Sequence, residues 1–236
     1  MSQSQSQTQS QTSAEVWSDP GFAEAWLGAD PRGAGDLLVL PRLMAAALIA
    51  RELPQPELVV DIASGAGTFL SVLLEAFPGA RGVWFDASPT MLDRARGELS
   101  RFGDRVEFRV GDMGALRAAG VPGGADVVAT SRASHHLDRQ ELHGFYSEAA
   151  GLLRPGGWLA NLDHIGPDEV VWDERYRAVR KQFTGPKKAE TAHHHNYPLP
   201  SVNDHLDGYR AAGLTDVDVA WKAFYTGLFL GHAATD

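Results

Sequence analysis

From Leu58 to Ala63 the chain is apolar at every position except Asp61, and the run ends in the turn residues Ser64 and Gly65. A run of that kind reads as a strand buried on both faces of a parallel sheet. Behind it Phe69, Val72, Leu73 and Ala76 recur at helical spacing. The alternation then repeats. Gly82–Ala87 is a second strand, and Ser88 is placed to cap a helix carrying Met91, Leu92, Ala95 and Leu99 on one side. Val106–Asp112 and Asp126–Ser131 read as strands three and four. Leu142, Phe145, Tyr146, Ala149 and Leu152–Leu153 mark an amphipathic helix stopped at Pro155–Gly157, and Trp158–His164 is strand five. Strands alternating with helices predict an α/β fold with a Rossmann-like, doubly wound parallel sheet.

The flanks depart from this rhythm. Residues 1–14 are almost entirely Ser, Gln and Thr, a composition that cannot offset the entropy of ordering, and are expected to form a disordered tail. The remainder, 15–236, reads as a single domain. Residues 15–53 would make an N-terminal helical cap, with a helix starting near Pro41 and an apolar side of Leu43, Ala46, Ala47 and Ile49–Ala50. The cofactor-binding core would span 58–164, and a cap insertion rich in His, Pro and Lys would follow over 165–200. Residues 201–236 predict a last helix, capped by Ser201 and closed by Gly213, then two strands joined around Lys222–Phe224.

Composition narrows the chemistry. The 236 residues contain no cysteine, which excludes disulfides, thiolate nucleophiles and cysteine-ligated zinc and fits a cytoplasmic location. A formal charge of −9 with scattered Lys and Arg argues for a small-molecule partner and against nucleic acid. The tail lacks the basic start and apolar stretch of a signal peptide. The greasiest segment, Leu37–Ala50, is broken by Pro41 and Arg42 and is too short to span a bilayer. A monomer or homodimer is expected.

The turn after strand one resembles a nucleotide cradle, in which backbone N–H groups and a helix N-terminus face the ligand. A dinucleotide fingerprint needs G-x-G-x-x-G, yet reading from Gly65 the third position is Leu70. Asp61, at the end of the strand, would repel a pyrophosphate and favour a cation. Asp86 ends strand two, where an acid accepts ribose hydroxyls, with Ala87 beside it. Asp112 ends strand three, placed to accept from an adenine amino group, with Met113 as an apolar wall. A lone Asp at a strand end is commonly a turn cap. Three of them at successive strand ends of one sheet converge on its ligand crevice. Together they suit a ligand with an amino group, a ribose and an adenine but no phosphate, which describes S-adenosylmethionine.

With those residues in view, the chain resembles a class I S-adenosylmethionine-dependent methyltransferase of the small-molecule type. "VVDIASGAGTF" resembles the first motif of that family, "FDASPTMLDRAR" its post-first motif, "VEFRVGDM" the adenine segment, and "LLRPGGWL" the entry to strand five. The resemblance implies a seven-stranded sheet with an antiparallel C-terminal hairpin and a helical cap. It also implies that the turn Ala63, Ser64, Gly65 and Gly67 holds the cofactor, with Ala63 where the family usually has glycine, so a tighter turn is expected. Backbone groups near Ser131 and Arg132 would hold its methionine end, and His135 and His136 stand where the family often has an aromatic or histidine pair.

Methyl transfer from a sulfonium needs positioning and a dry cavity, and a base only where the acceptor loses a proton. Candidate bases are His135, His136 and His164; candidate acceptor contacts are Arg132, Asp163, His194 and Tyr197. Three adjacent histidines, His193–His195, cannot all face one ion, and no metal site is expected. Trp17, Trp26, Trp172, Trp221, Phe224 and Tyr225 are aromatic candidates for an acceptor pocket. The predicted function is methyl transfer to a small aromatic or apolar acceptor, with O-, N- and C-methylation all open. The alternatives are a non-methylating rearrangement on the same cofactor and a nicotinamide-dependent oxidoreductase.

Overall fold

The computed structural model describes residues 18–21, 38–184 and 198–235. At its centre is a seven-stranded sheet in the order β3-β2-β1-β4-β5-β7-β6. Strands β1 (Leu58–Ile62), β2 (Arg81–Asp86), β3 (Val106–Val110), β4 (Ala125–Ser131) and β5 (Leu153–His164) run parallel. Strand β7 (Thr226–Ala233) is antiparallel both to β5 and to β6 (Leu214–Ala223). The chain steps outward from β1 to β3, then crosses to the other side of β1 as β4. That reversal leaves a crevice at the C-terminal ends of β1 and β4.

Both faces of the sheet are covered, which is why the strands read as unbroken apolar runs. On one face Val59, Trp84 and Val127 pack with Ile49 of α1 (Val39–Glu52), Leu70, Leu73 and Leu74 of α2 (Thr68–Ala76), and Met91 and Ala95 of α3 (Pro89–Glu98). On the other, Val60, Phe85 and Val128 meet Leu142, Phe145 and Tyr146 of α4 (Arg139–Ala150) and, past α5 (Val170–Thr184), Tyr209 of α6 (Val202–Ala211). Successive residues of one strand serve opposite faces. Ser88 caps α3 as expected, accepting from Met91 N at 3.3 Å. Ser201 caps α6 in a box with Asp204.

The structure corrects several boundaries. Helix α1 begins at Val39 and buries Pro41, Arg42, Ala45, Ala46 and Ile49, whereas Leu43 is 51% exposed and Ala47 also faces outward. Its sequence is apolar nearly all round, so periodicity alone does not select a face. Strand β3 ends at Val110 because its partner β2 ends at Asp86, opposite Val110, and Asp112 lies two residues beyond it. Helix α4 stops at Ala150; Leu152 instead accepts from Ala125 N at 2.9 Å, and Leu153 opens β5. The hairpin turns at Phe224–Tyr225, one residue later than expected, with Phe224 at φ 49°. Among the described residues no helix is long and apolar enough to cross a membrane. The tail, Trp17, Trp26 and the segment holding His193–His195 and Tyr197 lie outside the described residues.

Candidate active site

The turn after β1 is built by its neighbours as much as by its own glycines. Ser64 N donates to Phe85 O at 3.0 Å, and Trp84 Nε1 donates to Gly65 O at 2.8 Å, so β2 clamps the turn from the side. Trp84 is fully buried. Sequence reading missed it, although a tryptophan inside the strand next to a glycine turn is a visible signal. The two glycines do different work. A side chain on Gly67 (φ 81°) would strike Leu99 at 2.7 Å, so Gly67 serves close packing. One on Gly65 (φ 55°) would meet nothing within 4 Å, so Gly65 borders open space. Ala63 sits at φ 51°, a left-handed conformation that costs an alanine about 1–2 kcal/mol. The turn therefore carries strain where the family usually has glycine.

Two acids stand beside it. Asp61 is fully buried; its Oδ2 accepts from Ser64 Oγ at 2.5 Å and from Leu70 N at 3.1 Å. Its Oδ1 has no hydrogen-bond partner among the described residues. Burial raises its pKa to about 7, against the lowering effect of Ser64, Leu70 and Arg42, with Asp86 adding to the rise. Asp86 accepts from Gly65 N at 2.8 Å and Ser88 N at 2.9 Å, and burial raises its pKa as well. Across the crevice at the end of β4, the Ser131 hydroxyl is also buried without a partner among the described residues. A buried carboxylate oxygen and a buried hydroxyl, both unsatisfied and on strands either side of the switch point, call for a polar ligand.

The remaining cofactor candidates are more loosely placed. Asp112 is exposed, and its Oδ1 accepts from Gly114 N at 2.8 Å, which holds the turn after β3. Met113 is half-buried against the core. Ala87 is half-buried at the end of β2, and its carbonyl accepts from Ser18 Oγ at 3.2 Å, which brings residues 18–21 alongside the crevice. These residues suit S-adenosylmethionine: Asp61 would hold its amino group, Asp86 its ribose, and Asp112 and Met113 its adenine.

The loop after β4 carries a second cluster. Arg132 is half-buried, adopts φ 58° and donates its backbone N–H to Leu162 O at 3.0 Å. Asp163, at the end of β5, is fully buried and gathers five donors. Ala133 N, His135 N and Ser134 Oγ reach its Oδ2 at 3.2, 3.1 and 2.6 Å. His135 Nδ1 and His164 N reach its Oδ1 at 2.6 and 2.7 Å. Burial works against this carboxylate's charge, but the imidazoles of His135 and His164 and the Ser134 hydroxyl hold its pKa far below the usual carboxylate range. Asp163, expected as an acceptor contact, is fully buried, and both its oxygens are taken by these five donors.

The three histidines expected here do come together. The His135 ring is 4.1 Å from that of His136 and 4.9 Å from that of His164. His135 is buried, whereas His136 and His164 retain some exposed surface. The protein around His164 nevertheless dominates its chemistry: desolvation, reinforced by His135 and Arg132 and opposed by Asp163, lowers its pKa to about 3. His194 and Tyr197 lie outside the described residues. Among the described residues no group of three or more His, Asp and Glu side chains is arranged to hold a metal ion.

Behind this cluster runs a buried network that sequence reading missed. Asn161 Nδ2 donates to Ser134 Oγ at 2.8 Å and to Tyr146 Oη at 2.7 Å, and Tyr146 Oη lies 2.5 Å from His205 Nδ1. A polar Asn161 in the middle of an apolar strand was the available signal. A hollow of about 460 Å³ at the N-terminal ends of β1, β2, β4 and β5 is lined by Arg81, Asp126 and Arg154, among others. Asp126 there is engaged by Glu57 N, Leu58 N and Arg154 Nε, so it ties strands together.

Known proteins agree with this geometry. Residues 59–157 match the family model described as a methyltransferase domain. The 3-amino-4-hydroxybenzoate 4-O-methyltransferase of Streptomyces cremeus is 34% identical over 109 residues, covering 46% of this chain and 29% of that protein. The ribosomal RNA small subunit methyltransferase H of Mycobacterium tuberculosis is 36% identical over 101 residues, covering 40% of this chain and 25% of that protein. The matched stretches thus amount to less than a third of either relative. Among solved structures, an O-methyltransferase family protein from Burkholderia thailandensis shares the fold, with a TM-score of 0.64 at 24% identity over 92% of this chain and 61% of that one. Residues 59–157 of the chain thus resemble a methyltransferase domain, and the whole chain shares its fold with a solved protein of the O-methyltransferase family.

Proposed function

We propose that this protein transfers the methyl group of S-adenosylmethionine to a hydroxyl of a small aromatic acceptor. The observation that carries the reading is Asp61: a fully buried carboxylate with one oxygen left unsatisfied beside the Gly65 turn. An ammonium group would complete it, whereas a pyrophosphate would be repelled. The bound cofactor supplies an electrophilic methyl, and the chain's own residues orient the acceptor and receive its proton. His164 is the residue we assign to that proton. It stands at the C-terminal end of β5, keeps part of its surface, and is neutral at ordinary pH. A neutral imidazole carries one ring nitrogen able to accept from an acceptor hydroxyl. A base this weak takes the proton only as the new oxygen–carbon bond forms. His135 and Asp163 lie beneath it as a fixed support.

The Streptomyces relative acts on a hydroxylated benzoate, which favours an aromatic acceptor and oxygen as the methylated atom. The ribosomal RNA relative raises a nucleic-acid acceptor, but a formal charge of −9 supports the small molecule instead. The test is calorimetry with S-adenosylmethionine and with nicotinamide dinucleotides, followed by turnover with hydroxylated aromatic acids. Binding of the first alone, with S-adenosylhomocysteine formed only when acceptor is present, is expected. Binding of a nicotinamide dinucleotide alone would overturn the reading.

A further inference from the structure

Helix α5 meets the C-terminal hairpin through a compact aromatic clasp. The Tyr176 ring stands edge-on to Phe224 at 5.6 Å and to Tyr225 at 5.5 Å, and it is 5.6 Å from Trp172 one turn earlier. Lys222 Nζ donates to Tyr176 Oη at 3.0 Å, and the Arg180 guanidinium lies 5.6 Å from the Tyr225 ring centroid. The polar end of the clasp is Tyr225 Oη, which donates to Asp173 Oδ1 at 2.8 Å, while Arg177 pairs with Asp173 Oδ2, also at 2.8 Å.

The other end of Tyr225 faces the histidine cluster. Its carbonyl accepts from Ile165 N at 2.9 Å, the residue after His164. His164 pairs across the sheet with Thr226, the residue after Tyr225, so the two segments are locked in register. One residue in a two-residue turn thus contacts both the cap helix and the backbone at the end of β5, next to His164.

We propose that Tyr225 is a positioning residue that couples the seating of α5 to the orientation of the His164 imidazole. Its hydroxyl holds the helix through Asp173, and its backbone holds the end of β5 from which the His164 ring projects. When α5 is seated, the turn is fixed and the His164 ring points where the acceptor is handled; when α5 lifts, both are released together. This rests on the reading of His164 as the acceptor-side base.

The test uses the full chain and the variants Tyr225→Phe, which removes the hydroxyl but keeps the ring and carbonyl, and Asp173→Asn, which keeps an acceptor for it. Amide hydrogen exchange follows α5, and imidazole NMR signals follow His164, assigned by comparison with His164→Asn. In Tyr225→Phe, exchange over 170–180 should rise about threefold or more, and the His164 signals should shift or broaden. Asp173→Asn, which keeps an acceptor for the hydroxyl, should leave most of both as in the parent chain. S-adenosylmethionine affinity, measured by calorimetry, should stay within about twofold, because the residues assigned to the cofactor lie at the ends of β1 to β4, away from α5. Faster exchange of α5 with unchanged His164 signals would overturn the coupling, as would no change in either. Failure of the parent chain to bind S-adenosylmethionine would count against the methyltransferase reading while leaving the exchange and NMR outcomes interpretable.

Discussion

The Asp163 carboxylate meets His135 Nδ1 at 2.6 Å in a place where neither side chain reaches solvent. That contact sets proton positions well beyond the pair. Asp163 stays ionised, so Ser134 must donate to it and accept from Asn161. Asn161 donates onward to Tyr146, whose own proton must then go to His205 Nδ1. His205 is thereby fixed as neutral, and burial lowers its pKa to about 4. Replacing Asp163 by Asn puts an amide donor against one of these donor clusters and removes the counter-charge. Asp163→Asn should cost about 3–5 kcal/mol, measured by urea unfolding at neutral pH. A loss below about 1 kcal/mol would show that the network carries little of the fold.

Asp61 behaves in the opposite sense to an ordinary salt-bridged acid. Its folded-state pKa, about 7, lies above its unfolded value, so the folded chain holds the proton more tightly between about pH 4 and pH 7. Its contribution to stability is present at the acid end and lost as pH rises through 7. Asp61→Asn should therefore raise the melting temperature of the cofactor-free chain at pH 8, with little change at pH 5. The same substitution should weaken S-adenosylmethionine binding about tenfold or more, since the group that offsets the ammonium charge is gone. Thermal melts at the two pH values, with calorimetry, check both halves.

Asp86 has a double role. It holds Gly65 N and Ser88 N in the folded chain, and it is the group assigned to the ribose. Asp86→Ala should weaken cofactor binding by about 1–3 kcal/mol and also lower the melting temperature of the free chain. Unchanged affinity in calorimetry would contradict the crevice assignment.

His164 and His205 make the fold sensitive to acid. Their pKa values, about 3 and about 4, lie below the unfolded value, so the unfolded chain binds more protons as pH falls below about 6.5. Stability should decline from about pH 6.5 toward pH 4, and His164→Asn should flatten that decline. For the same reason the acid limb of turnover should show no titration of His164 near pH 6.5. A limb centred there would point to a different base.

The frame of the molecule was legible because apolar runs of strand length alternate with helical spacing, and because Asp61, Asp86 and the glycine turn stand at strand ends. Boundaries were less so. The end of β3 depends on where β2 stops pairing, and the buried face of α1 cannot be chosen from a segment apolar on nearly every side. The three histidines were found one by one, but their meeting was not visible, since it depends on Asp163 reaching across from β5 to the loop after β4. Tyr146 and His205 are 59 positions apart, on two different helices, and no local pattern links them. Trp84 lies inside an apolar strand, where nothing in the local pattern shows that its indole nitrogen secures the turn after β1.

The most direct test is to incubate the chain with methyl-labelled S-adenosylmethionine and a panel of hydroxylated aromatic acids and phenols, then quantify S-adenosylhomocysteine against labelled product by mass spectrometry. One-to-one formation of the two with at least one acceptor, lost in His164→Ala, is the expected result. A converted acceptor with no S-adenosylhomocysteine, or no cofactor turnover with any acceptor of this class, would contradict it.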